Sequence, residues 1–335
     1  MPWEEIKGQE RAVKLLQEAL RRERLGHAYL FYGPPGVGKG TAARVLAQAV
    51  NCPEKPGEGC GGCRSCRRIA EGQHPDVVVL QSEGLHVRLE QVRYLLERVY
   101  FCPLEGRRKV FILRQAESLT AEAANSLLKA LEEPPGDVLF VLTASSRQAV
   151  LSTVQSRCVP VEFNFLPQQV LEELIRERGW AAAGEEALLS GMAGGSAGMA
   201  CSLAQKGEWQ RAREDMLTVL EAIDVQADIT SQFFRGEQGR DYLDLLFKVF
   251  AAWFRDIMVW QKTGRADLAV NKDRISDIQA QAARWERPEE VLFLAVKSLR
   301  QLRQNANLPL LWEVFLVKLA AHGGRNYAHS GWSAF

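Results

Sequence analysis

The apolar positions of this chain fall into two territories. Near the N-terminus Val13, Leu16 and Leu20 recur at helical spacing, with Ala12, Leu15 and Ala19 beside them and charged residues opposite, which predicts an amphipathic helix. Short, continuous apolar runs follow at Ala28–Tyr32, Asp76–Leu80, Val110–Leu113, Val138–Leu142 and Val159–Phe163. Unbroken runs of this length read as strands buried on both faces. Helical patterns lie between them, over Thr41–Val50, over Leu89–Val99 with Val92, Leu95, Leu96 and Val99 inward, and over Ala121–Glu132, which stops before Pro134-Pro135 because proline cannot continue a helix. Strands alternating with helices imply crossover connections and a parallel sheet covered by helices.

Beyond about Leu166 the strand pattern ends. Three short helices are expected over Gln168–Arg178, Glu185–Met192 and Ala197–Gln205, then longer ones that include Tyr242–Gln261, Pro288–Leu302 and Pro309–Ala321. The organisation expected is a nucleotide-binding-like α/β domain over 1–165, a helical lid over 166–207, an all-α domain over 208–325 and a tail over 326–335.

The first of the strands leads into a loop with its own chemistry. Gly33-Pro34-Pro35-Gly36-Val37-Gly38-Lys39 lies between a predicted strand and a predicted helix, the setting a phosphate-binding loop requires. Glycines let backbone N–H groups turn inward, the helix N-terminus adds partial positive charge, and Lys39 adds a full one. The candidate nucleotide-binding residues are Gly33, Pro34, Gly36, Val37, Gly38, Lys39, Gly40 and Thr41. The alternative is a Gly-rich turn that binds nothing. Position 40 departs from the pattern. A Ser or Thr there ligates Mg²⁺ through its hydroxyl, but this chain has Gly40; Thr41 is one residue on, turned by about 100° and shifted by ~1.5 Å. The strand over 109–113 should end in an acid that holds the metal, yet Arg114 and Gln115 follow it, and neither is an anion. Glu117 lies past the strand end and Asp76 opens a strand, so neither is expected to replace that acid. The expectation is a pocket that binds ATP or ADP without hydrolysis.

Cysteine usage adds a second candidate site. Cys52, Cys60, Cys63 and Cys66, with Gly61 and Gly62 among them, suit a tetrahedral structural zinc module over about 52–66. The segment has too few apolar residues to fold alone, so metal would supply its folding energy. An iron–sulfur centre, a redox group or coincidence are the alternatives. Cys102, Cys158 and Cys201 stand apart as core or surface thiols, and His74 reads as the lead into a strand rather than a ligand. The net charge of +1 argues against a continuous DNA-coating surface, and the small basic clusters at 21–24, 64–68 and 107–109 read as solvated surface. With no apolar leader and no run near ~18 apolar residues, the expected protein is cytoplasmic and has no membrane partner.

Together these residues resemble the bacterial DNA polymerase III clamp-loader AAA+ family across essentially the whole chain. The shared segments are Gly8-Gln9, His27–Phe31, the Gly33–Lys39 loop, the inserted cysteine module, Ala124–Lys129 with Leu131–Pro135, and Ser156-Arg157-Cys158. The resemblance implies an AAA+ P-loop sheet, a small lid and a helical collar that joins subunits into a ring. Gly40, Arg114 and Gln115 resemble the family's non-hydrolysing stator type rather than its gamma/tau ATPases, and the sensor-2 segment Gly195–Met199 lacks an arginine. Sensor 1 maps near Thr143, and the helix from Pro309, preceded by Asn305-Ala306-Asn307, resembles the collar's closing segment. The resemblance gives Arg157 a role in trans, as an arginine finger in a neighbour's ATP site; without it, a surface arginine paired with a carboxylate is the better reading. Implied partners are gamma/tau and delta subunits, the sliding clamp and primer-template DNA. Two other readings are an active gamma/tau-type ATPase and a zinc-dependent DNA-binding protein with a vestigial P-loop.

Overall fold

The computed structural model describes residues 2–81, 87–224, 239–304 and 306–323 of the 335-residue chain. Asn305 and the expected tail over 326–335 lie outside the described residues. The chain divides into two compact units, Met1–Val170 with Ser196–Gly198, and Leu171–Gly195 with Met199–Phe335.

The first unit is built on five parallel strands, β1 Ala28–Tyr32, β2 Val77–Leu80, β3 Lys109–Leu113, β4 Val138–Ala144 and β5 Val159–Glu162, in the order β2-β3-β4-β1-β5. The helices are α1 Glu10–Arg21, α2 Lys39–Asn51, α3 Arg64–Ala70, α4 Leu89–Val99, α5 Ala121–Glu132 and the single turn α6 Ser152–Gln155. The central strands β3 and β4 are buried at every position, because each has neighbours on both sides and helices on both faces. The expectation that all five strands are buried fails at the two ends of the order. β2 pairs only with β3, so Val79 is half exposed, and β5 pairs only with β1 and has one buried residue. Phe111 and Phe140 stack at 5.5 Å across β3 and β4, and Val92, Leu95 and Val99 of α4 pack into the same core as Leu127 and Leu131 of α5. Leu15, expected near the inward face of α1, is exposed; Ala12 and Leu16 carry the burial.

The second unit has only helices as regular elements among its described residues; α7 Gln168–Arg178 and α9 Ala197–Lys206 begin in the first unit and run into it, and α8 Glu186–Ala193, α10 Glu208–Asp224, α11 Arg240–Thr263, α12 Ile275–Ala282, α13 Pro288–Arg303 and α14 Leu308–His322 lie wholly within it. α11 is its axis and packs against α8, α10, α12 and α13. Its core is aromatic. Phe247 and Phe250 lie 4.8 Å and 5.0 Å from Phe315, which stacks on Trp312 at 5.7 Å. Burial of such rings is the main drive for this unit, since an aromatic side chain removes ~150–250 Å² from water. Asp256 is fully buried in α11 and accepts from the Val270 and Asn271 N–H groups and from Asn271 Nδ2, so a carboxylate ties down the connection after α11 alongside the burial of Ala269 and Val270. Among the described residues no single helix is long and apolar enough to cross a membrane.

Candidate functional site

The phosphate-loop residues leave β1 and reach α2 as the sequence requires. Gly33 sits at φ +144°, and a Cβ there would run into the Phe163 carbonyl, so no other residue fits the turn off the strand. The loop is braced from two sides. Gln9, 4% exposed, donates through Nε2 to Val37 O at 3.3 Å and to Asn164 O at 2.7 Å, and accepts from Asn164 N at 3.1 Å. Gly198 N donates to Gly36 O at 2.8 Å, and Ser196 Oγ donates to Pro35 O at 3.0 Å. The segment expected as sensor 2 therefore touches the loop by its backbone and a serine.

Lys39 opens α2, and its Nζ donates to the carbonyls of Gly33 at 2.5 Å and Pro34 at 2.6 Å. The ammonium thus rests on the loop it would leave to reach a phosphate. Burial lowers its pKa, and the charge of Glu117 works in the opposite direction. Glu117 is the acid that sequence reasoning set aside. It lies in a 3₁₀ turn after β3, and Ser145 N donates to its Oε1 at 2.9 Å, while its Oε2 is buried with no hydrogen bond among the described residues. The carboxylate is thus electrostatically part of the loop's surroundings, although a cross-strand amide holds one oxygen.

At the end of β3 the anion is missing and a cation is present. Arg114 lies over Gly40: a Cβ built on that glycine would stand 3.4 Å from Nη2, 3.7 Å from Nε and 3.8 Å from Cζ. Arg114 Nη1 donates to Gln81 Oε1 at 2.8 Å, which orients the guanidinium. A dication about 4 Å from a guanidinium is opposed by roughly 2 kcal/mol in water-like surroundings and roughly 8 kcal/mol at an effective dielectric of 20. Even the smaller figure exceeds a tenfold penalty. Gln115 follows in the left-handed region at φ +55°, an uncommon conformation for a side-chain-bearing residue, and its N–H donates to Thr143 Oγ1 at 3.2 Å. Thr143, the expected sensor 1, is thereby used in positioning the end of β3.

Arg157 follows α6 and is already paired. Its Nε donates to Glu132 Oε1 at 2.6 Å, its Nη2 contacts the same oxygen, and its Nη1 donates to Thr153 O at 2.8 Å. Cys158 beside it points into the sheet core, where burial pushes its thiol up to about 12.

The four clustered cysteines converge. All their sulfurs lie within 4.8 Å of one another, with Cys52 Sγ 3.9 Å from Cys63 Sγ and Cys60 Sγ 4.0 Å from Cys66 Sγ. A tetrahedral ion with metal–sulfur bonds of about 2.3 Å sets sulfurs about 3.8 Å apart, so the cage has the dimensions for one metal ion. Amide N–H groups of Lys55, Cys63 and Cys66 donate to the sulfurs of Cys52, Cys60 and Cys63 at 3.2, 3.2 and 3.4 Å, which stabilises thiolate charge. Burial works against ionisation of Cys52, yet the Lys55 amide and the neighbouring cysteines outweigh it and bring its pKa to about 7; burial raises that of Cys66. Gln48 Nε2 donates to Cys66 O at 2.8 Å and Ser65 Oγ to Asn51 O at 3.0 Å, anchoring the module on α2. His74 turns away from the sulfurs, accepting at Nδ1 from Asp76 N at 3.1 Å and lying 3.1 Å from Ser65 Oγ at Nε2. Asp76 and Asn51 together hold the loop before β3. The Asp76 carboxylate accepts from Leu104, Glu105 and Gly106 N–H groups, and Asn51 Oδ1 from those of Arg107 and Arg108.

The family model for "DNA polymerase III, delta subunit" matches residues 8–167. The DNA polymerase III subunit delta' of Bacillus subtilis is 31% identical over 329 residues, 95% of this chain and 98% of that protein. This chain belongs to the DNA polymerase III delta-prime family. The delta-prime subunit of Pseudomonas aeruginosa agrees, at 33% identity over 90% of this chain and 94% of its own length. The DNA polymerase III subunit tau of Bacillus subtilis is 36% identical over 170 residues, 50% of this chain and 30% of that protein. The delta-prime likeness thus spans both units, and the likeness to that tau subunit about half the chain.

Proposed function

We propose that this chain acts as the non-hydrolysing, stator-like subunit of a DNA polymerase III clamp loader, helping to open a sliding clamp and load it on primer-template DNA. Its partners in this reading are gamma/tau ATPase subunits and a delta subunit. The first unit is the AAA+ module, α7–α9 the lid and α10–α14 the collar that joins the ring. The observation that carries the proposal is the end of β3: Arg114 lies against Gly40, so cationic charge and a missing hydroxyl meet at the place where a hydrolysing P-loop protein coordinates magnesium. The loop itself is intact, so an ADP or ATP polyphosphate is held by its backbone N–H groups and Lys39 without turnover.

Catalysis then passes to Arg157. In the isolated chain Glu132 holds its guanidinium, and a γ-phosphate of a neighbouring subunit is the stronger acceptor that draws it across. The four-cysteine cage is assigned to structural zinc: four thiolates leave no open position for a reacting group, and the 4.8 Å spread suits a single ion.

The active-ATPase reading would rest on Glu117, whose charge acts on Lys39. Ser145 N occupies one of its oxygens, and no hydroxyl stands at position 40 to complete a magnesium site. The deciding experiment is ATP hydrolysis by the purified chain with magnesium. No turnover above a protein-free control is expected; Glu117-dependent turnover would reject the stator assignment.

A further inference from the structure

The contact between Arg114 and Gly40 has a positive side. We propose that Arg114 is a built-in replacement for magnesium, so that this loop binds a nucleoside di- or triphosphate without any divalent cation. The inference rests on the reading that the loop holds a polyphosphate, and it deepens that reading by naming the counter-charge.

Three features carry it. In a P-loop site the metal lies beside the residue that follows the lysine, bound to its hydroxyl and bridging the β- and γ-phosphate oxygens. Here that residue is Gly40, and Nη2, Nε and Cζ of Arg114 all come within 4 Å of its missing Cβ. The guanidinium therefore covers the ground a metal-ligating side chain would occupy. A hydrogen bond also orients it. Nη1 is spent on Gln81 Oε1 at 2.8 Å, which leaves Nη2 and Nε turned towards the first turn of α2. Two N–H donors in a plane match two oxygens of a phosphate. Last, the local charge balance needs no metal. Among the described residues, Lys39 and Arg114 supply two positive charges and Glu117 one negative, so these groups are cationic before any ion binds. A polyphosphate arriving here meets the charge that magnesium supplies elsewhere, and a magnesium ion would be repelled from it. Glycine at position 40 is a fitting complement to Arg114, since it leaves free the space beside the guanidinium that a side chain would enter.

The test is calorimetric titration of the full-length chain with ADP and with ATP, in excess EDTA and in excess magnesium. Affinity in EDTA should equal that in magnesium within about twofold, and Arg114→Gln should weaken binding in EDTA by on the order of tenfold, the loss of a charge-assisted pair. The paired change Gly40→Ser with Arg114→Asp, which restores a hydroxyl and an acid, should make binding magnesium-dependent by about tenfold or more. Arg114 and Gly40 lie at the loop surface, and thermal unfolding of each variant checks that the fold persists. Binding by the parent chain only in magnesium, or an Arg114→Gln variant that binds like the parent in EDTA, overturns the inference and leaves the polyphosphate reading standing. No binding in either buffer removes that reading, and this inference with it.

Discussion

The two candidate sites share a helix and offer a metal opposite surroundings. The cysteine cage begins at Cys52, just after the C-terminal end of α2; the phosphate loop opens its N-terminal end. At the first, four thiols, three amide donors and a Gln48 anchor all converge on a space sized for one ion. At the second, the loop keeps its shape, yet hydroxyl and acid are replaced by Gly40 and Arg114. The comparison teaches that a site's scaffold and its metal chemistry are separable. The cage has few apolar side chains of its own, so a metal bound there would contribute to its folding. The loop's shape is held by Gln9, Ser196 and Gly198, which brace it from outside.

The largest expected effect breaks the cage. Purified chain should carry one tightly held zinc, and Cys66→Ser should lose it along with on the order of 10 kcal/mol of apparent binding energy, read by metal analysis and by thermal unfolding. Because thiolates are the ligands, zinc release should rise as pH falls, and the metal should be held more firmly as pH rises. Iron in the preparation would give the centre to the alternative chemistry.

The next effect lies on neither metal site and tests whether catalysis is exported. In a loader reconstituted with its ATPase subunits, clamp and primed DNA, Arg157→Ala should cut hydrolysis at the adjoining site by on the order of 10³-fold, about 4 kcal/mol of transition-state stabilisation. Clamp loading should fall with it. If Arg157→Ala leaves both intact, the trans assignment is lost.

A smaller effect concerns the carboxylate behind the cage. Burial opposes ionisation of Asp76, but the amides of Gly106, Leu104 and Glu105 overcome it and hold its pKa below the ordinary value. A depressed carboxylate stabilises the fold above its unfolded pKa, about 3.9, and that contribution disappears as pH falls through the folded value. Asp76→Asn should therefore cost about 2–3 kcal/mol at neutral pH and flatten the acid limb of the unfolding profile. An unchanged acid limb would mean another group controls it. The smallest effect should be that of Lys39→Ala on the assembled loader: a loss of turnover below about threefold, under ~0.7 kcal/mol, because the hydrolysing sites belong to other subunits. A loss matching that of Arg157→Ala would reverse the comparison and make this loop the working one.

Much of this was legible along the chain, and the parts that were not share a cause. α4, α5 and α7 fall on the predicted residues because their signals are local: a Thr120 side chain capping α5, prolines closing it, an apolar stripe in α4. The cysteine cage was legible because its ligands lie within 15 residues of one another. The edge position of β2 was hidden, since strand order is set by crossovers, and an edge strand of four apolar residues looks like a central one. The Glu132–Arg157 pair, the reach of Glu117 to Lys39 and the bracing by Gln9 were hidden for the same reason. Each joins residues between 25 and 155 positions apart, and no periodicity records such distances.

Gly198 lies so near the phosphate loop that a methyl group on it would stand 2.8 Å from the α-carbon of Gly36. That fit makes the two glycines a keyed pair: one hydrogen atom on each is all the spacing permits, so alanine at either position works as a wedge, prising the segment off the loop without removing a single polar contact group. Engineering that wants this loop loosened, yet chemically untouched, has its handle there.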